Sequence, residues 1–270
     1  MELLRFRPVE EGDCQVEAML HTPITEMAVR RETFPTVVLC PGGGYEMVSQ
    51  READPVAQRF FAAGYNVFTL QTYSVGERAR DFRPLGELSE VVRQVRLRKE
   101  WRCDPRRVAV CGFSAGAHLA GSLGTLYDDP RFVALRGDFQ GLNRPDAMIL
   151  CYPVITADQY AHEGSLRNVS GREPGTPEYQ YFGLDRHVTE GTCPAFLWHT
   201  AQDDCVPVEN TLAMMAALHK NGVPFEAHVF PWGGHGLSVC TEEAGSRDDY
   251  TARWMDLCLA WLGKTFQFRL

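Results

Sequence analysis

Apolar positions along the chain follow two periods. Short runs of β-branched and aromatic residues read as strands at 36–40 (TVVLC), 65–70 (YNVFTL), 107–112 (RVAVCG), 146–152 (DAMILCY), 195–200 (AFLWHT) and 225–230 (FEAHVF). Longer stretches between them have helical spacing. Residues 54–64 (DPVAQRFFAAG) carry an Asp at the cap position, a Pro in the first turn and a Gly at the close. Residues 84–101 place Leu85, Leu88, Val91, Val92 and Val95 on one helical face. Residues 208–222 read as a helix ending in Asn-Gly, and 248–264 (DDYTARWMDLCLAWLGK) as a closing helix. Strands alternating with helices predict an α/β fold, a mainly parallel central sheet with helices on both faces. In such sheets the loops after the strands carry the chemistry. One stretch, 155–192, breaks the alternation. It is rich in Gly, Pro, Ser and Tyr and its helical signals are weak. A connection of this length in a compact domain is usually functional, so a lid or pocket wall is expected, against the plainer alternative of a surface insertion.

The 270 residues suffice for one substantial core. The net charge of −8 comes with no long basic run, which argues against nucleic acid as a partner. No stretch is apolar for long enough to span a membrane. The N-terminus (MELLRFRPVEEGD) becomes charged too soon for a signal peptide. The nine cysteines are an odd number, with no CxxC and no Cys/His pair at zinc spacing. Several of them end apolar runs, where cysteine behaves as a small hydrophobe. These features set the expectation of a reduced, cytoplasmic protein.

Ser114 stands in GFSAG, where the strand at 107–112 gives way to a helix. In a G-x-S-x-G turn the serine adopts a strained backbone, and the flanking glycines let the two segments approach. The hydroxyl is thereby lifted above the sheet edge, and the N–H of the next residue, Ala115, faces any oxyanion that forms. An idle serine in a close-packed turn is the alternative. A serine nucleophile needs a base, and the base needs an orienting carboxylate. Of eight histidines, His235 has the distinctive frame: FPWGGHGLS is a glycine-rich loop after the last strand. The loop after the strand at 195–200 offers Asp203 and Asp204. CPGGGY, at 40–45, closes an earlier strand with glycines that can present backbone N–H groups to a substrate. It lacks the spacing and the Lys-Ser/Thr of a phosphate-binding loop.

Together these pieces resemble the α/β-hydrolase superfamily, and more narrowly the acetyl-xylan-esterase-like carbohydrate esterases. The matching stretches are LCPGGGY, RVAVCGFSAGAHLAGSL, YPVIT and PAFLWHTAQDDCVPVENTLAMMAALHKNGVPFEAHVFPWGGHGLS, with the Trp-rich closing helix. They span nearly the whole chain. The resemblance implies a single α/β-hydrolase domain over 1–270, with 155–192 as its lid or pocket-wall insertion. It implies Ser114 as nucleophile and His235 as base. The D-x-x-V-P frame, completed by Val206 and Pro207, makes Asp203 the acid. Gly43, Gly44 and Ala115 take the oxyanion role. Two positions depart from the pattern: Ala117 stands where relatives often have a third glycine, and Pro41 replaces the His of HGGG lipases. The second leans away from hormone-sensitive-lipase-like enzymes and toward the sugar esterases.

The implied activity is hydrolysis of small, acetyl-type esters of carbohydrates through an acyl-enzyme, without metal or organic cofactor. Acetylated oligosaccharides are the expected substrate class. Tyr45, Tyr73 and Trp232 lie beside the site loops in sequence and are candidates for a stacking wall. An arylformamidase-like amidase and a serine peptidase share the same machinery and stay open as alternatives, as does a binding protein on an inactive hydrolase fold. The closing helix, with Trp254 and Trp261, and the tail TFQFRL are candidates for a homo-oligomer interface.

Overall fold

The computed structural model of the chain describes residues 1–10, 12–26 and 31–269. Eight strands form one sheet: β1 (Glu2–Phe6), β2 (Gln15–Leu20), β3 (Phe34–Cys40), β4 (Asn66–Thr72), β5 (Cys103–Phe113), β6 (Ala147–Cys151), β7 (Ala195–Thr200) and β8 (Phe225–Phe230). Their order is β1-β2-β4-β3-β5-β6-β7-β8. The six strands from β4 to β8 run parallel, and β1 and β2 add an antiparallel edge. The parallel part follows the sequence expectation; the edge hairpin is an addition to it.

The helices are α1 (Asp54–Ala62), α2 (Arg83–Leu97), α3 (Ala115–Leu126), α4 (Pro130–Arg136), α5 (Glu163–Ser170), α6 (Pro177–Gln180), α7 (Glu209–Lys220) and α8 (Trp254–Thr265). Central strands alternate their side chains between two cores, as the pleat requires. From β5, Val108 and Val110 join Leu88, Val92, Leu119 and Leu123 of α2 and α3. Ala109, Cys111 and Phe113 join Val56 and Phe60 of α1 and Trp254, Cys258 and Leu262 of α8 on the other face. The five aliphatic residues that mark α2 in the sequence are all buried.

The closing helix places its aromatic residues inward. Trp254 and Trp261 are buried within the chain's own core, as are Phe266 and Phe268 of the tail. These aromatic side chains are covered by the chain itself, Trp254 against Trp198, Trp261 against Phe196 and Phe268 against Tyr65; Leu270 lies outside the described residues. Among the described residues, no helix is long and apolar enough to cross a membrane.

Candidate active site

The chain leaves β3 toward β4 on one side and returns to β5 on the other. Loops after β3 and β5 therefore diverge, and a crevice opens at the carboxyl ends of the strands. Ser114 follows β5 with φ 54° and ψ −121°, a left-handed conformation that costs a non-glycine residue energy and is typical of functional sites. It stands at the N-terminus of α3, yet its side chain makes no capping hydrogen bond. The glycines around it are needed for clearance. A Cβ on Gly112 would overlap the backbone of Gly116, and one on Gly116 would overlap the carbonyls of Cys40 and Pro41. The elbow is thus pressed against the end of β3, which brings the glycine loop beside the serine.

His235, in the loop after β8, places Nε2 2.8 Å from Ser114 Oγ. Its Nδ1 lies 2.7 Å from Oδ2 of Asp203, in the loop after β7. With Nδ1–H donating to the carboxylate, Nε2 is left as an acceptor for the serine hydroxyl. Asp203 Oδ1 also accepts the N–H groups of Cys205 and Val206, at 3.0 and 2.9 Å. A further imidazole, that of His199 on β7, lies 3.2 Å from Asp203 Oδ2 and 2.8 Å from the Thr211 hydroxyl. Burial pushes the Asp203 carboxyl up, but the bonds from His199, His235 and the Val206 N–H outweigh it and hold the acid well below the usual carboxylate range. Asp204, the alternative left open by the residues alone, is exposed and plays no part in this chain of bonds.

The cleft has a volume of about 400 Å³ and is lined by Gly43, Gly44, Met47, Ser49, Gln50, Arg51, Glu52, Ser114, His162, Cys205 and His235. A larger surface groove, about 560 Å³, lies between Asp13, Glu87 and Arg136 and contains none of the Ser114–His235–Asp203 line. Gly43 and Gly44 have φ of 121° and 67°. The Gly42 N–H donates to the Glu52 carboxylate at 2.7 Å, whereas those of Gly43, Gly44 and Ala115 have no acceptor among the described residues. Among the described residues no cluster of His, Cys, Asp and Glu is arranged to hold a metal ion.

The three aromatic candidates fall elsewhere. Tyr45 and Tyr73 are buried beneath the glycine loop. The Tyr45 hydroxyl meets His118 Nδ1 at 2.9 Å, and the Tyr73 hydroxyl donates to the Pro41 carbonyl at 2.8 Å. Both rings support the loop from below and offer no face to the cleft. Trp232 is 61% exposed and rests against Tyr250, outside the cleft lining. In their place the cleft wall has His162, which no sequence frame singled out. His162 caps α5, its Nδ1 accepting from the Ser165 N–H, and its Nε2 lies 3.7 Å from Cys205 Sγ. Burial lowers the His162 imidazole below its ordinary range, and nearby His235 adds to this. From the same helix, Asn168 donates to the Gly44 carbonyl at 2.9 Å, tying the 155–192 segment to the glycine loop.

Comparison with known proteins agrees with this architecture. A family model described as BD-FAE matches residues 24–153, and one described as the prolyl oligopeptidase family matches 146–269. The chain is 37% identical over 218 residues to endo-1,4-beta-xylanase B of Butyrivibrio fibrisolvens, covering 77% of this chain and 33% of that protein. It is 29% identical over 211 residues to an acetylxylan esterase of Xylanibacter ruminicola, covering 76% and 41%. The chain thus spans about a third to two-fifths of the length of these curated relatives. An acetyl ester-xyloside bifunctional hydrolase from Caldicellulosiruptor lactoaceticus superposes with a TM-score of 0.80 at 33% identity, over 98% of this chain and 92% of that one. With a serine elbow after β5, a mostly parallel sheet and relatives of this kind along its whole length, the chain belongs to the α/β-hydrolase superfamily and, within it, to the acetyl-xylan-esterase-like carbohydrate esterases.

Proposed function

We propose that the chain is a serine esterase that removes small acyl groups, acetyl above all, from carbohydrate esters. One observation carries this reading: Ser114 Oγ, His235 and Asp203 form an unbroken hydrogen-bonded line that opens into a cleft. Ser114 attacks the ester carbonyl as its proton passes to His235 Nε2. Asp203 keeps Nδ1 protonated and stabilises the imidazolium. The N–H of Ala115 and those of Gly43 or Gly44 hold the developing oxyanion, which supplies much of the barrier reduction. His235 then gives its proton to the departing sugar oxygen, which leaves as the alcohol. Water, deprotonated by the same imidazole, attacks the acyl carbonyl, and the bond to Ser114 Oγ breaks as Oγ takes the proton back and the acid leaves. The 155–192 segment serves as a wall of the pocket, with His162 facing the substrate. The acetylxylan esterase and acetyl ester-xyloside hydrolase relatives favour acetylated oligosaccharides as substrates. Nine free thiols favour a reducing compartment such as the cytoplasm.

Hydrolysis of 4-nitrophenyl acetate and of acetylated xylo-oligosaccharides tests the reading. Ser114→Ala is expected to lower kcat by about three orders of magnitude or more with the fold intact; near-normal activity in that variant overturns the assignment. The prolyl oligopeptidase match over 146–269 favours a second reading, a peptidase or amidase. Aminoacyl anilides and N-formylkynurenine in the same assay decide it: turnover of these alone replaces the esterase reading.

A further inference from the structure

Glu52 is a carboxylate with almost no exposure, at the end of a short 3₁₀ turn that leads into α1. Taking a carboxylate out of water is costly unless its bonds repay it. Its two oxygens are spent on different parts of the site. Oε2 accepts the Gly42 N–H at 2.7 Å, and a Cβ added to Gly42 would touch both this oxygen and the Ser114 side chain. Oε1 accepts the Tyr152 hydroxyl at 2.7 Å. Tyr152 follows β6, packs edge-on against the His235 ring at 5.0 Å between centroids, and its hydroxyl accepts the Ser238 N–H at 3.0 Å. Ser238 closes the circuit by donating its hydroxyl to the Arg51 carbonyl, next to Glu52, at 2.6 Å.

We propose that Glu52 is a positioning residue that fixes the glycine loop and the His235 loop relative to Ser114, acting through Gly42 on one side and Tyr152 on the other. The inference rests on the esterase reading. Ser114, Tyr152 and Ser238 have φ of 54°, 37° and 51°, conformations that persist only where surrounding bonds over-determine them. The Glu52 circuit holds two of these residues directly and abuts the third. Burial pushes the Glu52 carboxyl above its usual range, while the bonds from Tyr152 and Gly42 draw it back down. An apolar residue of similar size could fill the space but could not hold two donors on opposite loops. The groups so held act on the transition state and not on ground-state binding, so their misplacement should appear in kcat.

The test is steady-state hydrolysis of 4-nitrophenyl acetate by Glu52→Gln, Tyr152→Phe and the double variant, with Ser114→Ala alongside. Glutamine keeps the size but sets an amide N–H₂ against one of the two donors; Tyr152→Phe removes a single hydroxyl. Each single variant is expected to lose about 10- to 100-fold in kcat with KM within about twofold of wild type. The double variant should be at least as slow as the slower single one and no slower than the product of the two losses, because Gly42 and Tyr152 are held by different oxygens of Glu52 and glutamine still accepts from one of them. A wild-type kcat in either single variant, a loss confined to KM, or a double variant faster than the slower single one overturns the proposal. If Glu52→Gln fails to fold, Tyr152→Phe decides alone by the same criterion. Activity retained in Ser114→Ala overturns the esterase reading itself; loss in Ser114→Ala with normal Glu52 and Tyr152 variants overturns only the positioning role.

Discussion

Asp203 is the residue on which most of the site's hydrogen bonds converge. One oxygen is held by two backbone N–H groups and the other faces two imidazoles. This saturation has a consequence for the base. With the carboxylate fixed and ionised, His235 is held in the tautomer whose Nε2 can take the serine proton. Asp203→Asn keeps the shape but presents an amide that can satisfy the opposite tautomer, so kcat should fall by about 10⁴-fold while the fold survives. Activity assays paired with circular dichroism check this; a loss below tenfold would mean that the orientation is set elsewhere. The residues alone left Asp203 and Asp204 open, and the D-x-x-V-P frame of the resemblance chose Asp203; in the structure the Val206 N–H of that frame reaches back to Asp203 Oδ1. His199 was not legible as its partner, since a histidine inside an apolar strand reads as core. Its i, i+4 relation to Asp203 becomes a contact only because the chain bends sharply after β7. Tyr45 shows the converse. Sequence put it beside the glycine loop, but its positive φ of 57° accompanies a ring buried beneath that loop and bonded to His118.

At the scale of elements, the central parallel strands β3, β4, β6 and β7 were readable because they are buried on both faces, whereas β8, at the sheet edge and only half-buried, was readable from its β-branched and aromatic run after Asn-Gly. The β1–β2 edge was not. In β1 the residues are exposed or half-buried throughout, and in β2 the buried Val16, Ala18 and Leu20 alternate with partners too mixed to stand out. α5 was hidden for another reason. Its cap is a histidine and its second residue is glycine, so propensity marks it weakly; it packs on α6 and the turn at Gly76–Ala79, and Asn168 ties it to the glycine loop. His118 joins three such elements. It lies on α3, meets the Tyr45 hydroxyl with Nδ1 and lies 2.9 Å from the Phe182 carbonyl with Nε2. The carbonyl can only accept, so Nε2 carries the proton and Nδ1 accepts from Tyr45. Burial pushes this imidazole down to about 4, partly opposed by the bond to Phe182. In the unfolded chain it titrates near an ordinary value of about 6.5. Between those values the unfolded chain binds the proton and the native one does not. This contribution to stability is therefore complete above about pH 6.5 and is lost toward pH 4 at up to about 1.4 kcal/mol per pH unit. NMR of the imidazole nitrogens should show His118 neutral and protonated on Nε2 at pH 5.5, with Tm declining over the same range. A midpoint near 6.5 in the folded protein would contradict this three-way junction.

For the molecule as a whole, the cysteines offer a way to read global stability and the open cleft in one experiment. Eight of nine thiols are buried, among them Cys40, Cys111 and Cys151 in central strands and Cys258 in α8; Cys205 is exposed. Burial pushes the buried thiols up, Cys103 to about 11 and Cys193 to about 12, so little thiolate forms while the fold is closed. Because the two cores sandwich a single sheet, Cys40, Cys103, Cys111 and Cys151 of the strands and Cys258 of α8 become accessible only when the packing of helices on strands is lost, and Cys14, Cys193 and Cys240, in loops, are buried against the same cores. A disulfide reagent added to the native protein should therefore label one thiol rapidly and the other eight only at the rate of global opening. In denaturant all nine should react at once. Cys205 lines the cleft with Ser114 and His235, so esterase activity should fall in step with the first thiol titrated. Cys205→Ser should remove the fast phase and leave an enzyme resistant to the reagent. Loss of activity that tracks a later thiol, or two thiols reacting in the fast phase, would show that a buried cysteine is reached by local opening, of a strand or of the loops that carry Cys14, Cys193 and Cys240, without global unfolding.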